Sequence, residues 1–377
     1  MTEYQKVIRG RGRIAEAPRM AEKMGITKPL IVGSPRLAGS LLKKAPQLLT
    51  SPVFSGYHPN PDLQDVLPAI EMYKAQHCDG IISIGGGSAM DTAKAVKAVF
   101  YAGNAENALA GRYTEPMDMP HLAIPGTAGT GAEATQNAVV YIGNKKWSLN
   151  DQSLRPDGVI LDADLLDSLP IYHKKASALD ALSQGIESYW SIGATEDSRI
   201  HAFLAILGVL DNLKAYLSGD QHAAEEMMDA SFQSGKAIQI TRTTAAHAMS
   251  YQLTKTMGYA HGHACMLTLP SLWEEAARHE NMNPLLQDLS RKMRLGDQQM
   301  VPRLLRGILY DLELEIPIMP CRETLDSLAA SVNTERLGNH PVRMNTSDVR
   351  KVYELAFTPL CETEKQACID IWKYYGT

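Results

Sequence analysis

Lysine and arginine are scattered rather than clustered along this 377-residue chain, and the formal net charge is -5. That lack excludes the electrostatic footprint with which proteins neutralise nucleic-acid phosphates or an anionic membrane surface. Cysteine is scarce: Cys78, Cys265, Cys321, Cys361 and Cys368 are odd in number and form no CxxC pair, so neither a disulfide framework nor a zinc ribbon is indicated. A reducing cytoplasm is the expected compartment. The first residues, MTEYQKVIRGRGRIAEA, hold no apolar h-region, and no later run is expected to be long and apolar enough to span a bilayer. Internal repeats and low-complexity segments are lacking too.

What is present is an alternation. PLIVGS (29–34), DGIISIGGG (79–87), HLAIPGTAG (121–129) and DGVILDADLL (157–166) read as buried strands, with DVLPAIEMYKAQ and AMDTAKAVKAVF as helices between them. This predicts a parallel sheet with crossover helices over residues 1–172. From residue 173 to 377 the pattern changes to long 3.6-residue periodicities such as SRIHAFLAILGVLDNLKAYL, which predict an all-helical second domain.

GxGxxG is missing, yet IISIGGGSAMDTAK places Gly86, Gly87 and Ser88 between a strand and a helix whose first turn holds Asp91. Glycines there allow close backbone approach, and free amides at a helix start favour a phosphate, so the turn is a candidate pyrophosphate cradle. A second loop, IPGTAGTGAEAT, adds the hydroxyls of Thr127 and Thr130. Two such loops at neighbouring strand ends suit a dinucleotide. The acidic residue that often holds the ribose is missing: LIVGSPR ends in Ser34 with Arg36 beyond, which leaves NAD and NADP both open.

Most of the eleven histidines sit in polar surroundings, but His247, His261 and His263 share one apolar, glycine-interrupted stretch. Imidazoles there need partners, and with Asp180 on an earlier helix they could form an open Lewis-acid metal site. The alternative is a set of core histidines without a ligand.

GGGSAMDTAK, IPGTAGTGAEAT, RPDGVILDADLLDSLP, DALSQGIESYWS and HAMSYQLTKTMGYAHGHACMLTLP together resemble, in order, the motifs of the iron-type (group III) alcohol dehydrogenases. The resemblance implies the dehydroquinate-synthase-like fold, with an α/β dinucleotide-binding domain and an all-α metal-binding domain. It implies NAD or NADP bound by Ser34, Gly86, Gly87, Ser88, Asp91, Thr127, Thr130 and Lys146, and a divalent Fe, Zn or Mn ion held by Asp180, His247 and His261. The fourth ligand, a histidine, is lacking: where the family pattern is DALxH this chain has Gln184, whose amide oxygen is the expected substitute, with substitution by His263 and a weak three-coordinate site as the other outcomes. Tyr251 stands where many members have a histidine near the nicotinamide, as a proton relay or a packing residue.

The implied activity is reduction of a short-chain aldehyde to a primary alcohol. Two segments, ITRTTAAHAMSYQLT and SVNTERLGNHPVRM, resemble the branch acting on phosphonoacetaldehyde or sulfoacetaldehyde, with Arg242, His263 and Arg336 as candidate substrate contacts and His340 and Arg343 in the same loop as Arg336. Guanidinium forks suit such anions. A general short-chain or 1,3-propanediol-type dehydrogenase, a dehydroquinate-synthase-like lyase, and a cofactor-binding protein without turnover are the alternatives. A homodimer or larger homo-oligomer is expected.

Overall fold

The structure, a computed structural model, describes residues 5–375 apart from 144, 315, 317 and 333–336. It divides into two compact units, one of Met1–Leu169 with Ser218–Gly235, the other of Pro170–Leu217 with Lys236–Thr377.

The first unit carries strands β1 (Lys6–Arg9), β2 (Pro29–Gly33), β3 (Val53–Phe54), β4 (Gly80–Gly85), β5 (His121–Pro125), β6 (Asn137–Ile142), β7 (Lys145–Asn150) and β8 (Gly158–Leu161). Its helices are α1 (Ala17–Lys23), α2 (Pro35–Lys44), α3 (Leu63–Ala75), α4 (Gly87–Ala102), α5 (Ala105–Leu109) and α6 (Asp164–Asp167). Six strands form a sheet in the order β1-β8-β5-β4-β2-β3, all pairs parallel, and β6 and β7 form a separate antiparallel pair. Every residue of β2, β4, β5 and β8 is buried, as expected of parallel strands covered on both faces. Alternation along β2 divides the core. Leu30 and Val32 pack with Val66 and Ile70 of α3 and Val96 of α4. Ile31 packs on the other side with Met20 of α1 and Leu37 and Leu41 of α2.

Residues 218–235 were expected in the helical half but pack within this first unit. The contact is backbone to backbone: a Cβ on Gly235 would stand 2.3 Å from the Gly131 carbonyl oxygen. Helical periodicity carries no information about such an approach.

The loop after β5 is pinned to α4 by a lysine that the sequence reading did not single out. Lys94 Nζ donates to the Ala132 carbonyl at 2.7 Å, to Thr135 Oγ1 at 3.1 Å and to the Asn137 carbonyl at 2.9 Å. Burial pulls its pKa down to about 8, although Asp91 and Glu133 oppose the change. Glu133 is 1% exposed, and its Oε1 has no hydrogen-bond partner. Burial pushes its carboxyl up to about 7, against its own backbone amide and Lys94.

Because this folded value lies above the ordinary 4.5, the folded chain keeps a proton that the unfolded chain has released. The stabilisation is full below pH 4.5 and is lost as pH rises through about 7. Glu133→Gln is therefore expected to be more stable than the parent at pH 8 by about 1–3 kcal/mol, with the gap closing towards pH 4. Urea unfolding at the two pH values checks this; a gap independent of pH would contradict it.

Among its described residues the second unit contains helices and loops and no strand. Its helices are α7 (Ile171–Trp190), α8 (Glu196–Leu217), the end of α9 (Gln221–Thr241), α10 (Ala245–Met257), α11 (His261–Ala276), α12 (Asn283–Lys292), α13 (Met300–Asp311), α14 (Arg322–Ser331), α15 (Thr346–Phe357) and α16 (Glu362–Lys373). One expectation needs correcting. Helix α8, of 22 residues, contains an 18-residue stretch with a mean hydropathy of 1.4, long and apolar enough to cross a membrane. Here one face, including Ala202, Ala205, Ile206 and Val209, is buried. The approach to α7 is close, for a Cβ on Gly185 would stand 2.8 Å from Ile206 Cγ1 and 3.1 Å from the Ala202 carbonyl oxygen.

Candidate metal centre and dinucleotide cradle

Three buried helices of the second unit converge on one cluster. Asp180 lies on α7, His247 in the first turn of α10, and His261 and Cys265 one turn apart on α11. One ligand atom from each lies within 4.8 Å of all the others. Gly262 makes the convergence possible: a Cβ there would meet the Ala176 carbonyl oxygen at 2.1 Å and Asp180 Cβ at 2.6 Å. The start of α11 thereby presses His261 against the Asp180 turn.

Hydrogen bonds fix both imidazoles with their Nε2 atoms towards the cluster. His247 Nδ1 is bonded to Glu187 Oε2, a carboxylate one helical face along α7 that also accepts from Thr244 Oγ1 at 2.7 Å and the Ala246 amide at 2.7 Å. A carboxylate only accepts, so Nδ1 carries the proton and Nε2 is left as the donor atom. Ser250 Oγ spends its single proton on the His247 carbonyl at 2.9 Å, so at 3.1 Å it accepts from His261 Nδ1. The same tautomer follows for His261. This is the outer shell that metal-ligating histidines require.

The buried His247 Nε2 makes no hydrogen bond, although it stands 3.3 Å from Asp180 Oδ1. Burial would lower the His247 pKa, but the negative groups Cys265 and Glu187 with the Asp180 contact hold it well above 6.5. An environment that favours a proton on this nitrogen favours a cation beside it. Burial raises the Cys265 thiol, but His247 and His261 outweigh it and bring the value down to about 7. Nitrogen, carboxylate and thiol donors at this spacing fit a divalent ion.

Gln184 is 4% exposed, one turn beyond Asp180 on α7. Tyr251 stacks on His261 with ring centroids 5.6 Å apart, a packing contact. His263 lies outside the four-residue cluster: Tyr172 Oη accepts from the Ala260 amide at 2.9 Å and is hydrogen-bonded to His263 Nδ1 at 3.2 Å. Arg242 is exposed, in a left-handed conformation with φ 60°. Arg336 lies outside the described residues. His340 does not add positive charge to its loop. It is buried edge-on against Trp190, and burial lowers its pKa to about 4 despite Glu187.

Sequence reasoning passed over Cys265 and Glu187. Cys265 belongs to no CxxC pair, but His261-x3-Cys265 is the spacing that shares a helix face.

In the first unit the two glycine loops pack on one another. A Cβ on Gly86 would lie 3.3 Å from Thr127 Cγ2, and one on Gly87 would lie 3.2 Å from Thr130 Cγ2. The Gly126 amide donates to the Gly85 carbonyl at 2.8 Å, which ties the ends of β4 and β5 together. Ser88 Oγ accepts from the Asn60 amide at 3.1 Å. Asp91 is pushed up to about 6 by burial, against the nearby positive charges of Lys94 and Lys146. Ser34 caps α2, its hydroxyl accepting from the Leu37 amide at 3.4 Å, and Arg36 is tied to Ser168 Oγ. The paired loops at neighbouring strand ends form the setting in which open α/β sheets bind dinucleotides.

A parallel-sheet unit of this kind and a buried ligand set on helices define a metal- and dinucleotide-dependent oxidoreductase. The sequence matches iron-containing alcohol dehydrogenase over residues 5–163 and the C-terminal part of the Fe-containing alcohol dehydrogenase family over residues 174–357. The chain belongs to the iron-containing alcohol dehydrogenase family. It is 34% identical over 277 residues to phosphonoacetaldehyde reductase of Streptomyces viridochromogenes, covering 69% of this chain and 68% of that protein. It is 28% identical over 376 residues to lactaldehyde reductase of Escherichia coli, covering 92% and 97%. Among solved structures, sulfoacetaldehyde reductase from Bifidobacterium kashiwanohense in complex with NAD+ is similar with a TM-score of 0.84 and 25% identity, covering 94% of this chain and 97% of that one.

Proposed function

We propose that this enzyme reduces a two-carbon aldehyde bearing an anionic head to the primary alcohol, with NAD(P)H as reductant and a divalent ion in the helical unit. The observation that carries the metal reading is the cluster of Asp180, His247, His261 and Cys265 donor atoms. When bound, the ion supplies Lewis acidity towards a carbonyl oxygen and the nicotinamide supplies hydride. Asp180, His247 and His261 hold the ion, with Gln184 and Cys265 the two side chains that could complete the set. Glu187 and Ser250 keep the two imidazoles in the ligating tautomer.

Gly86, Gly87 and Ser88 leave amides and a hydroxyl for a pyrophosphate, with Thr127, Thr130, Asp91 and Lys146 around them. Ser34 and Arg36 leave a 2'-phosphate unopposed, so NADPH is as acceptable as NADH.

Two relatives named for anionic two-carbon aldehydes support the substrate class, as does the exposed Arg242 at the approach to α10. Arg336 is the second candidate cation. Membership of the dehydrogenase family speaks against the lyase reading. A homo-oligomer fits the exposed Ile192, Ile200 and Leu204 at and before α8, and sedimentation as a monomer would remove it.

The test is nicotinamide absorbance across a panel of aldehydes, with and without a chelator. Phosphonate- or sulfonate-bearing aldehydes are expected to exceed butanal by about 10–100-fold in kcat/KM, the worth of one or two charge-assisted contacts. Preference for butanal would sink the anionic reading, and activity untouched by complete metal removal would sink the metal.

A further inference from the structure

Gln184 leaves this chain one imidazole short, and Cys265 joins the donor cluster from another helix. Its side chain is fully buried on α11, one turn after His261, with Sγ 3.9 Å from His261 Nε2. Ligands around a tetrahedral ion with metal–nitrogen and metal–sulfur bonds of about 2.0 and 2.3 Å stand roughly 3.3–3.6 Å from one another. The cluster already shows 3.3 Å between His247 Nε2 and Asp180 Oδ1 and 3.9 Å between His261 Nε2 and Cys265 Sγ. The other pairs lie within 4.8 Å, so a contraction of at most about 1.5 Å separates this arrangement from a coordination shell. The second observation is His247 Nε2, buried and without a hydrogen bond in the same cluster.

We propose that Cys265 is the fourth protein ligand, giving an Asp-His-His-Cys centre with Gln184 outside the ligand set. The inference rests on the metal reading above. On binding, the Cys265 S–H bond breaks, its proton passes to solvent, the sulfur lone pair forms the metal bond and an aqua ligand leaves as water. Two anionic ligands then balance the divalent charge, where one aspartate with three imidazoles would leave a net positive charge. A thiolate also shifts preference towards softer ions, favouring cobalt and zinc over manganese.

The experiment is cobalt(II) loading of the full-length protein after chelator treatment, read by absorption and by metal affinity. The expected result is one equivalent of cobalt with an intense near-ultraviolet thiolate-to-cobalt charge-transfer band. Cys265→Ser should lose the band and bind cobalt at least about tenfold more weakly, while Gln184→Ala keeps the band and an affinity within about threefold. The parent spectrum needs no variant to fold, and the serine variant keeps the other four cysteines, so a band lost with it belongs to Cys265. Stoichiometric cobalt without the band would overturn the thiolate ligand and leave the metal reading standing. Loss of cobalt from Gln184→Ala but not from Cys265→Ser would restore the glutamine as ligand. No cobalt binding at all would overturn both.

Discussion

Asp180→Ala is expected to lose its bound metal and to fall by about 10³-fold in kcat/KM, a loss of roughly 4 kcal/mol of transition-state stabilisation. Among the four clustered side chains Asp180 is the carboxylate, held on the middle of α7 at 3.3 Å from His247 Nε2. Without it the donor set keeps two imidazoles and a thiol but loses a negative charge from a site that is almost wholly desolvated. The backbone should survive, because alanine keeps the Cβ against which Gly262 packs. Dinucleotide affinity should survive as well, since the cradle belongs to a separate compact unit. Metal analysis, nicotinamide fluorescence and initial rates together test the claim. A variant that retains full metal content and turnover would remove Asp180 from the centre.

The parallel sheet was legible because its central strands β2, β4, β5 and β8 are short, largely apolar runs, fully buried, separated by amphipathic stretches. β1 and the β6–β7 pair were not, for β1 is four residues with charged ends and no fully buried position, and β6 alternates buried with partly exposed residues. The return of residues 218–235 to the α/β unit was illegible in principle, since it depends on two glycines, 131 and 235, meeting across long sequence separation. In the helical unit, Asp180, His247 and His261 stood out as polar residues in apolar stretches. Cys265 did not, because a cysteine is an ordinary core residue unless something else is known to face it. Glu187 was hidden by the reverse ambiguity: a glutamate seven residues beyond Asp180 reads as helix surface, yet it is completely buried. His340 and Arg336 were grouped as loop cations, but burial against Trp190 makes that histidine neutral.

Glu187 carries the second large prediction, because one carboxylate does two jobs. Thr244, the residue before α10, makes no side-chain capping bond, and Glu187 Oε1 accepts from the Ala246 amide in its place. A carboxylate at a helix start is also favoured by the helix dipole. Oε2 holds His247 Nδ1, and burial fails to raise the Glu187 pKa because His247, Thr244 and Ala246 together keep it below 4.5. Glu187→Ala strands all these donors in a dry interior and is expected to cost about 3–5 kcal/mol of stability. Glu187→Gln separates the two roles. Its amide oxygen can still accept from Thr244 and Ala246, so the fold should lose no more than about 1–2 kcal/mol. Its NH2 group, however, faces His247 Nδ1 as a donor, which shifts the imidazole proton to Nε2 and turns it towards the ion. Metal affinity should fall about 10–100-fold. Urea unfolding of the metal-free proteins and competitive metal titration of each variant read the two effects independently. If Glu187→Gln binds metal as tightly as the parent, the carboxylate is only a helix cap and His247 is oriented by packing alone.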